Sequence, residues 1–212
     1  FKNDPVANGE IQEIPNGIRR PGPMPSKGSY QWNAVRFANK VFCVTHALKN
    51  SNGYDYLVWL DADTYTFRKM PKEFLQYMLP NETMLTYLGR ENDRGSDKYP
   101  ECGLVCYNIN HPLTQNFVQE WENLYTSDKI FELLEWHDSY VFWYMTKEYR
   151  KKLDAKVHDI GYTKGVKGHH VFVNSVLGQY IDHFKGDRKS DKKSRQDDIR
   201  KTPELKDIDY WK

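Results

Sequence analysis

From residue 29 onward the chain switches between two hydrophobic patterns. Ala34, Val35, Ala38, Val41, Phe42 and Thr45 recur at helical spacing, which predicts a helix with one buried stripe, capped by Ser29 and ending near Asn50 to Gly53. The run Tyr56-Leu57-Val58-Trp59-Leu60 follows with no polar alternation, the pattern of a strand covered on both faces in a parallel sheet. It stops abruptly at Asp61 and Asp63. Further along, Pro71 to Leu79 predicts a short amphipathic helix, Thr83 to Leu88 and Cys102 to Asn108 two strands, and Leu113 to Tyr125 and Glu132 to Tyr149 two helical stretches. Val176, Leu177, Tyr180 and Ile181 repeat at helical spacing within Asn174 to Phe184. Strands alternating with helices define an α/β chain.

The remainder sets the boundaries. Residues 1–28 hold Pro5, Pro15, Pro21, Pro23 and Pro25 and predict an irregular surface segment with one short strand near Glu10 to Ile14. Gly89 to Tyr99 and His158 to His170 read as loops. From Ser190 the chain is mostly charge, with Leu205 and Tyr210-Trp211 as scattered apolar anchors. The expected organisation is therefore one domain over 1–190 and a charged tail or linker over 191–212.

Composition narrows the class of partner. A chain of 212 residues with 15% aromatic side chains can build a real core and aromatic-lined clefts, which excludes global disorder. Acids and bases nearly balance, at a formal net charge of +2, so no general case exists for nucleic acid or an anionic membrane as partner. No apolar run reaches the length of a transmembrane helix. Cys43, Cys102 and Cys106 make neither a CxxC pair nor a zinc spacing; an odd, sparse count predicts buried thiols in a reducing, cytoplasmic compartment.

The chemistry concentrates where the apolar strand ends. In open α/β sheets the crevice beyond the carboxyl ends of strands is where ligands bind, and Asp61 and Asp63 emerge there. Two carboxylates one residue apart on an extended chain point the same way, and repel unless a cation or a shared proton lies between them. Asp207-Ile208-Asp209 has the same spacing in a polar stretch with no strand before it, so context and not the tripeptide singles out the first pair. A divalent ion needs a third ligand. His183 offers one, in company with Lys185, Gly186, Arg188 and Lys189, which supply cations for a diphosphate and a glycine that lets backbone approach oxygen. Arg36 and Lys40 stack on one helical face, where either an anion between them or snorkelling into water relieves their repulsion.

An apolar strand ending in Asp61-Ala62-Asp63, with His183-Phe184-Lys185-Gly186 late in the chain, resembles the metal-dependent nucleotide-sugar glycosyltransferases of the GT-A fold. The motifs are most similar to the glycogenin and lipopolysaccharide galactosyltransferase group, whose late His-x-x-Gly-x-x-Lys segment matches His183, Gly186 and Lys189; viral and phage glycan transferases also look similar. The resemblance covers residues 29 to 190 and implies an α/β fold with a mixed, mainly parallel sheet flanked by helices. The family's first strand-helix unit has no counterpart before residue 29, so the opening segment is either shortened or used differently. The resemblance further implies a bacterial, phage or virus-infected cell.

Carried over to this sequence, Asp61, Asp63 and His183 are implied metal ligands, with manganese favoured over magnesium by mixed oxygen and imidazole ligation. Lys185, Gly186 and Lys189 are implied diphosphate contacts, Arg36 and Lys40 a basic helix facing the donor, and Gly103 the small residue beside the sugar pocket. Asp138 is implied to take the proton of the acceptor hydroxyl or to orient the sugar, with Glu135 and His137 as substitutes. Trp136, Trp59 and Tyr107 are candidate rings for sugar stacking, with a core role the alternative for Trp59. The implied partners are a nucleoside-diphosphate sugar and a glycan or other hydroxyl acceptor. Two alternatives stand beside this one. Leu60 to Thr64 also fits the nucleophile motif of haloacid-dehalogenase-like phosphohydrolases, with Gly186-Asp187 imitating their late acidic motif, and a non-catalytic carbohydrate-binding module could share the fold.

Overall fold

The computed structural model describes residues 3, 30–90, 99–161, 170–186, 188–195, 197, 199, 205 and 207–212. The chain divides into two compact units, each assembled from two stretches: Phe1–Asp55 with Ile109–Ala155, and Tyr56–Asn108 with Lys156–Lys212. The strand expected near Glu10 to Ile14 and most of the loops expected after Gly89 and His158 lie outside the described residues.

The described residues of the first unit are mainly helical. Helix α1 (Ala34–Lys49) buries Ala34, Ala38, Val41, Val44, Thr45 and Leu48, close to the expected stripe, but Phe42 stays 40% exposed. Its cap is Asn33, whose side chain accepts a hydrogen bond from the Arg36 N–H at 2.8 Å; the turn Tyr30–Trp32 precedes it, so the helix starts later than a Ser29 cap would allow. Helix α3 (Thr114–Thr126) packs on α1 and on α4 (Asp138–Leu153), with Phe117, Trp121, Phe142 and Tyr149 meeting edge to face. The single helical stretch expected over Glu132 to Tyr149 is broken. A short helical turn, Lys129–Glu132, gives way to extended backbone at Leu133, and α4 begins only after His137, whose ring accepts from the Tyr140 N–H. A local cap overrides the continuous apolar pattern there.

The second unit carries the sheet. Strands β1 (Tyr56–Leu60), β3 (Leu85–Leu88), β4 (Glu101–Asn108) and β5 (Val157–Asp159) lie in the order β1-β4-β3-β5; β4 runs antiparallel to both neighbours and β3 pairs parallel with β5. The expected α/β class and mixed sheet are present, although among the described pairings of this sheet only β3 with β5 is parallel. β1 is corrected more sharply. Among the described strands it lies at the edge of the sheet with an antiparallel partner, and Val58 and Leu60 are 45% and 39% exposed. The fully buried strands of this sheet are β3 and β4, every residue of which is covered. A short apolar run fits an edge or a centre equally well, because periodicity reports side-chain polarity and not neighbours.

Helix α2 (Lys72–Met78) packs Met78 and Phe74 into a core with Leu88, Leu104, Cys106, Phe172, Leu177 and Ile181. The helix expected over Asn174 to Phe184 is instead a short turn, Val176–Gln179, followed by strand β6 (Ile181–His183), which pairs antiparallel with β2 (Thr64–Thr66). Ser175 accepts from the Leu177 N–H, and Gly178 sits so close to the Val173 carbonyl that no Cβ would fit. Helical spacing is met by one turn facing the core, and pairing with β2 takes the rest. The described residues after 190 are anchored as well. Leu205 and Trp211 are buried with Val173, Phe67 and Tyr210 stack at 4.0 Å, and Trp211 Nε1 donates to the Gly178 carbonyl at 2.7 Å.

Candidate metal centre

Three side chains of the second unit converge. Asp61 follows β1, and its N–H donates to the Gly103 carbonyl, extending the β1/β4 ladder by one residue. A tight turn then brings Asp63 to the start of β2, opposite the end of β6, where Thr64 faces His183 and the Phe184 N–H donates to the Asp63 carbonyl at 2.8 Å. His183 Nε2 lies 3.2 Å from Asp63 Oδ1 and 3.8 Å from Asp61 Oδ2, and one ligand atom from each of the three lies within 4.8 Å of the others. Ligands around one divalent ion with bonds of about 2.1 Å sit roughly 3 to 4.3 Å apart, close to the spacing of this set. The ring is 2% exposed and each aspartate side chain 27% exposed, which leaves the carboxylates open toward solvent and further ligands. Two carboxylates and an imidazole suit a divalent transition metal, and the residues present fit one.

Cations surround the acids. Lys189 Nζ lies 3.0 Å from Asp63 Oδ2. Partial burial works against ionisation of Asp63, but the Lys189 ammonium and the nearby His183 hold its carboxyl below the ordinary range. Gly186 turns the chain after β6 at φ +65°, the left-handed region that costs a glycine least. The adjacent Lys185 reaches Glu101 Oε2 at 2.5 Å, and Arg90 meets the same oxygen at 3.0 Å. Glu101 is buried, which opposes its charge; Lys185, with His183 and Arg90 nearby, overcomes this and pulls its carboxyl down to about 2.

Several of these residues escape a reading of the sequence. Glu101 and Arg90 belong to no motif, and the signal for Glu101 is only its place two residues before Gly103. Trp59 Nε1 donates to Asp61 Oδ1 at 2.6 Å, so this half-buried ring fixes a carboxylate. His170 Nε2 donates to the His183 carbonyl at 2.7 Å, and burial, the largest influence, pushes its pKa down to about 4. Gly103 has a definite steric duty, since a Cβ there would stand 2.8 Å from Cε1 of His183.

The remaining proton-transfer candidates, with Arg36 and Lys40, lie in the first unit. Asp138 is paired with Lys40 at 2.5 Å and accepts from the Ser139 N–H at 2.9 Å. Glu135 accepts from Gln31 at 3.2 Å and lies 2.7 Å from His137 Nε2. Arg36 is exposed on α1, its guanidinium over the Phe37 ring. Trp136 and Tyr107 are 1% and 0% exposed, which removes both from sugar stacking in favour of the core. Cys43 is exposed, contrary to expectation, whereas Cys102 and Cys106 are buried and burial pushes the Cys106 thiol up to about 12. Asp187, needed by the phosphohydrolase alternative, lies outside the described residues. Among the described residues no helix is long and apolar enough to cross a membrane.

No protein-family model matches the sequence, and no curated protein matches it. Among solved structures the chain is similar to one described as a glycosyltransferase involved in the glycosylation of the major capsid of PBCV-1, at 14% identity over 80% of each chain with a TM-score of 0.40.

Proposed function

We propose that the chain is a metal-dependent glycosyltransferase that moves a sugar from a nucleoside-diphosphate donor to a hydroxyl acceptor. The observation that carries the reading is the joining of Asp61, Asp63 and His183, with Lys189 paired to Asp63. Breaking the bond between sugar and diphosphate leaves negative charge on the departing phosphate, and fixed cations at that point lower the barrier. A bound divalent ion, manganese in this proposal, supplies Lewis-acid neutralisation of that charge. Asp61, Asp63 and His183 would hold the ion. Lys189 and Lys185 add ammonium groups for the diphosphate oxygens, and Gly186 takes the left-handed turn after Lys185 with no side chain at that position. Glu101 limits where the Lys185 ammonium can go.

The roles proposed for Asp138, Glu135 and His137 in taking the acceptor's proton, and for Arg36 and Lys40 toward the donor, rest on the resemblance alone. The deciding assay is turnover of a panel of nucleoside-diphosphate sugars with and without manganese. Asp63→Ala and His183→Ala are expected to lower manganese-dependent turnover by on the order of 10² or more. Turnover that survives both a chelator and these variants would overturn the reading.

A further inference from the structure

A histidine that ligates a metal through one ring nitrogen normally fixes the ring by donating a hydrogen bond from the other. His183 departs from this. Its Nε2 faces the aspartates, while Nδ1 is buried and has no hydrogen-bond partner among the described residues. Packing against Phe172 and the absent side chain of Gly103 limits the ring, but its reach toward the carboxylates has to be set by the backbone that carries it. That backbone is held on both sides. The carbonyl of His183 accepts from His170 Nε2 at 2.7 Å and from the Lys185 N–H at 2.9 Å, and its N–H donates to Asp182 Oδ1 at 2.7 Å.

Asp182 is 0% exposed, and a carboxylate without solvent is tolerable only when donors saturate it. Besides the His183 amide, its donors come from the segment past residue 190. Ser194 gives its N–H to Oδ2 at 2.8 Å and its hydroxyl to Oδ1 at 2.6 Å, and the Tyr210 hydroxyl gives to Oδ2 at 2.9 Å. The segment that reads from sequence as a charged tail thus places three hydrogen bonds on the residue next to the candidate metal ligand. We propose that Asp182 is a positioning residue for His183, and that the C-terminal segment, through Ser194 and Tyr210, sets the affinity of the metal centre without touching the metal. The inference rests on the metal reading above.

The test uses the full chain and manganese alone, with free ion counted by electron paramagnetic resonance at a temperature where circular dichroism shows every variant folded. Tyr210→Phe keeps the ring that stacks on Phe67 and removes one donor to Asp182; Ser194→Ala removes another. Each is expected to weaken manganese binding by about 10-fold, the scale of removing an outer-shell partner. Each should also speed hydrogen exchange at the His183 amide in metal-free protein. Trp211→Phe, which loses the bond to the Gly178 carbonyl and leaves the Ser194 and Tyr210 donors to Asp182 in place, is expected to lower the melting temperature and leave the manganese affinity unchanged. If His183→Ala abolishes binding while Tyr210→Phe and Ser194→Ala bind as the wild type does, the positioning role is overturned and the metal reading stands. If Trp211→Phe weakens binding as much as they do, affinity follows general stability and the positioning role is again overturned. A wild-type chain that binds no manganese overturns the metal reading itself, and this inference with it.

Discussion

Gly103 and His183 touch only because one of them has no side chain. A Cβ at 103 would lie 2.8 Å from Cε1 and 3.1 Å from Nδ1 of a ring that is itself 2% exposed, so Gly103→Ala disturbs the placement of the imidazole. We expect that variant to stay folded and to lose at least about 10-fold in manganese affinity by titration calorimetry. Two buried titratable groups make stability depend on pH. His170 has its pKa lowered from 6.5 to about 4 by burial, so the unfolded chain takes up its proton first; stability is whole above about 6.5 and declines as the pH falls toward 4. Glu101 has its pKa lowered from 4.5 to about 2, so its contribution is present above 4.5 and disappears as the pH falls through 2. Urea unfolding of chelated protein at stepped pH should lose on the order of 2–4 kcal/mol over each window. Glu101→Gln should flatten the lower window only. None of this is legible in the sequence, because a carboxylate's pKa is fixed by what folding places around it, and Glu101 meets both Arg90, 11 residues before it, and Lys185, 84 residues after it.

Among the elements, α4 shows where local chemistry wins over pattern. Apolar residues continue back to Ile130, yet the helix starts at Asp138, because His137 caps it and Asp138 in the first turn faces Lys40 of α1. Both side chains of that pair are nearly buried, at 11% and 13% exposure. Removing one partner of such a pair leaves a charge with little water, so Asp138→Asn is expected to cost about 3 kcal/mol in thermal unfolding. Lys40→Met combined with Asp138→Leu should recover most of it, and a double-mutant cycle isolates the coupling. The helices α1, α2 and α3 are legible in advance since each carries its own amphipathic stripe. Strand β6 is not, because a three-residue strand is defined by its partner β2, and Val176, Leu177, Tyr180 and Ile181 carry a spacing that a single turn also satisfies.

At the scale of the whole molecule, the candidate site joins residues 120 positions apart. Closing a loop of that length costs roughly 4 kcal/mol in chain entropy, so the three ligands assemble only when their unit folds. An ion that binds the assembled triad therefore stabilises the native chain. At 100 times its dissociation constant, manganese should add about 2.7 kcal/mol, equivalent to a rise of roughly 5–10 °C in melting temperature for a chain of this size. Chelation should reverse the rise, and Asp63→Ala should not show it.

The sequence by itself determined the α/β class, three of the helices and the strand that delivers Asp61 and Asp63, since these follow from local periodicity and from where an apolar run ends. It also offered His183 as third ligand, through the basic company that follows it. Which strand is central, how Glu101 and Asp182 are buried and saturated, and that the charged C-terminal segment is tied to the strand bearing His183 were decided by tertiary structure alone. Each of those depends on burial and on donors arriving from distant parts of the chain, and no spacing along a sequence encodes which groups folding brings into contact.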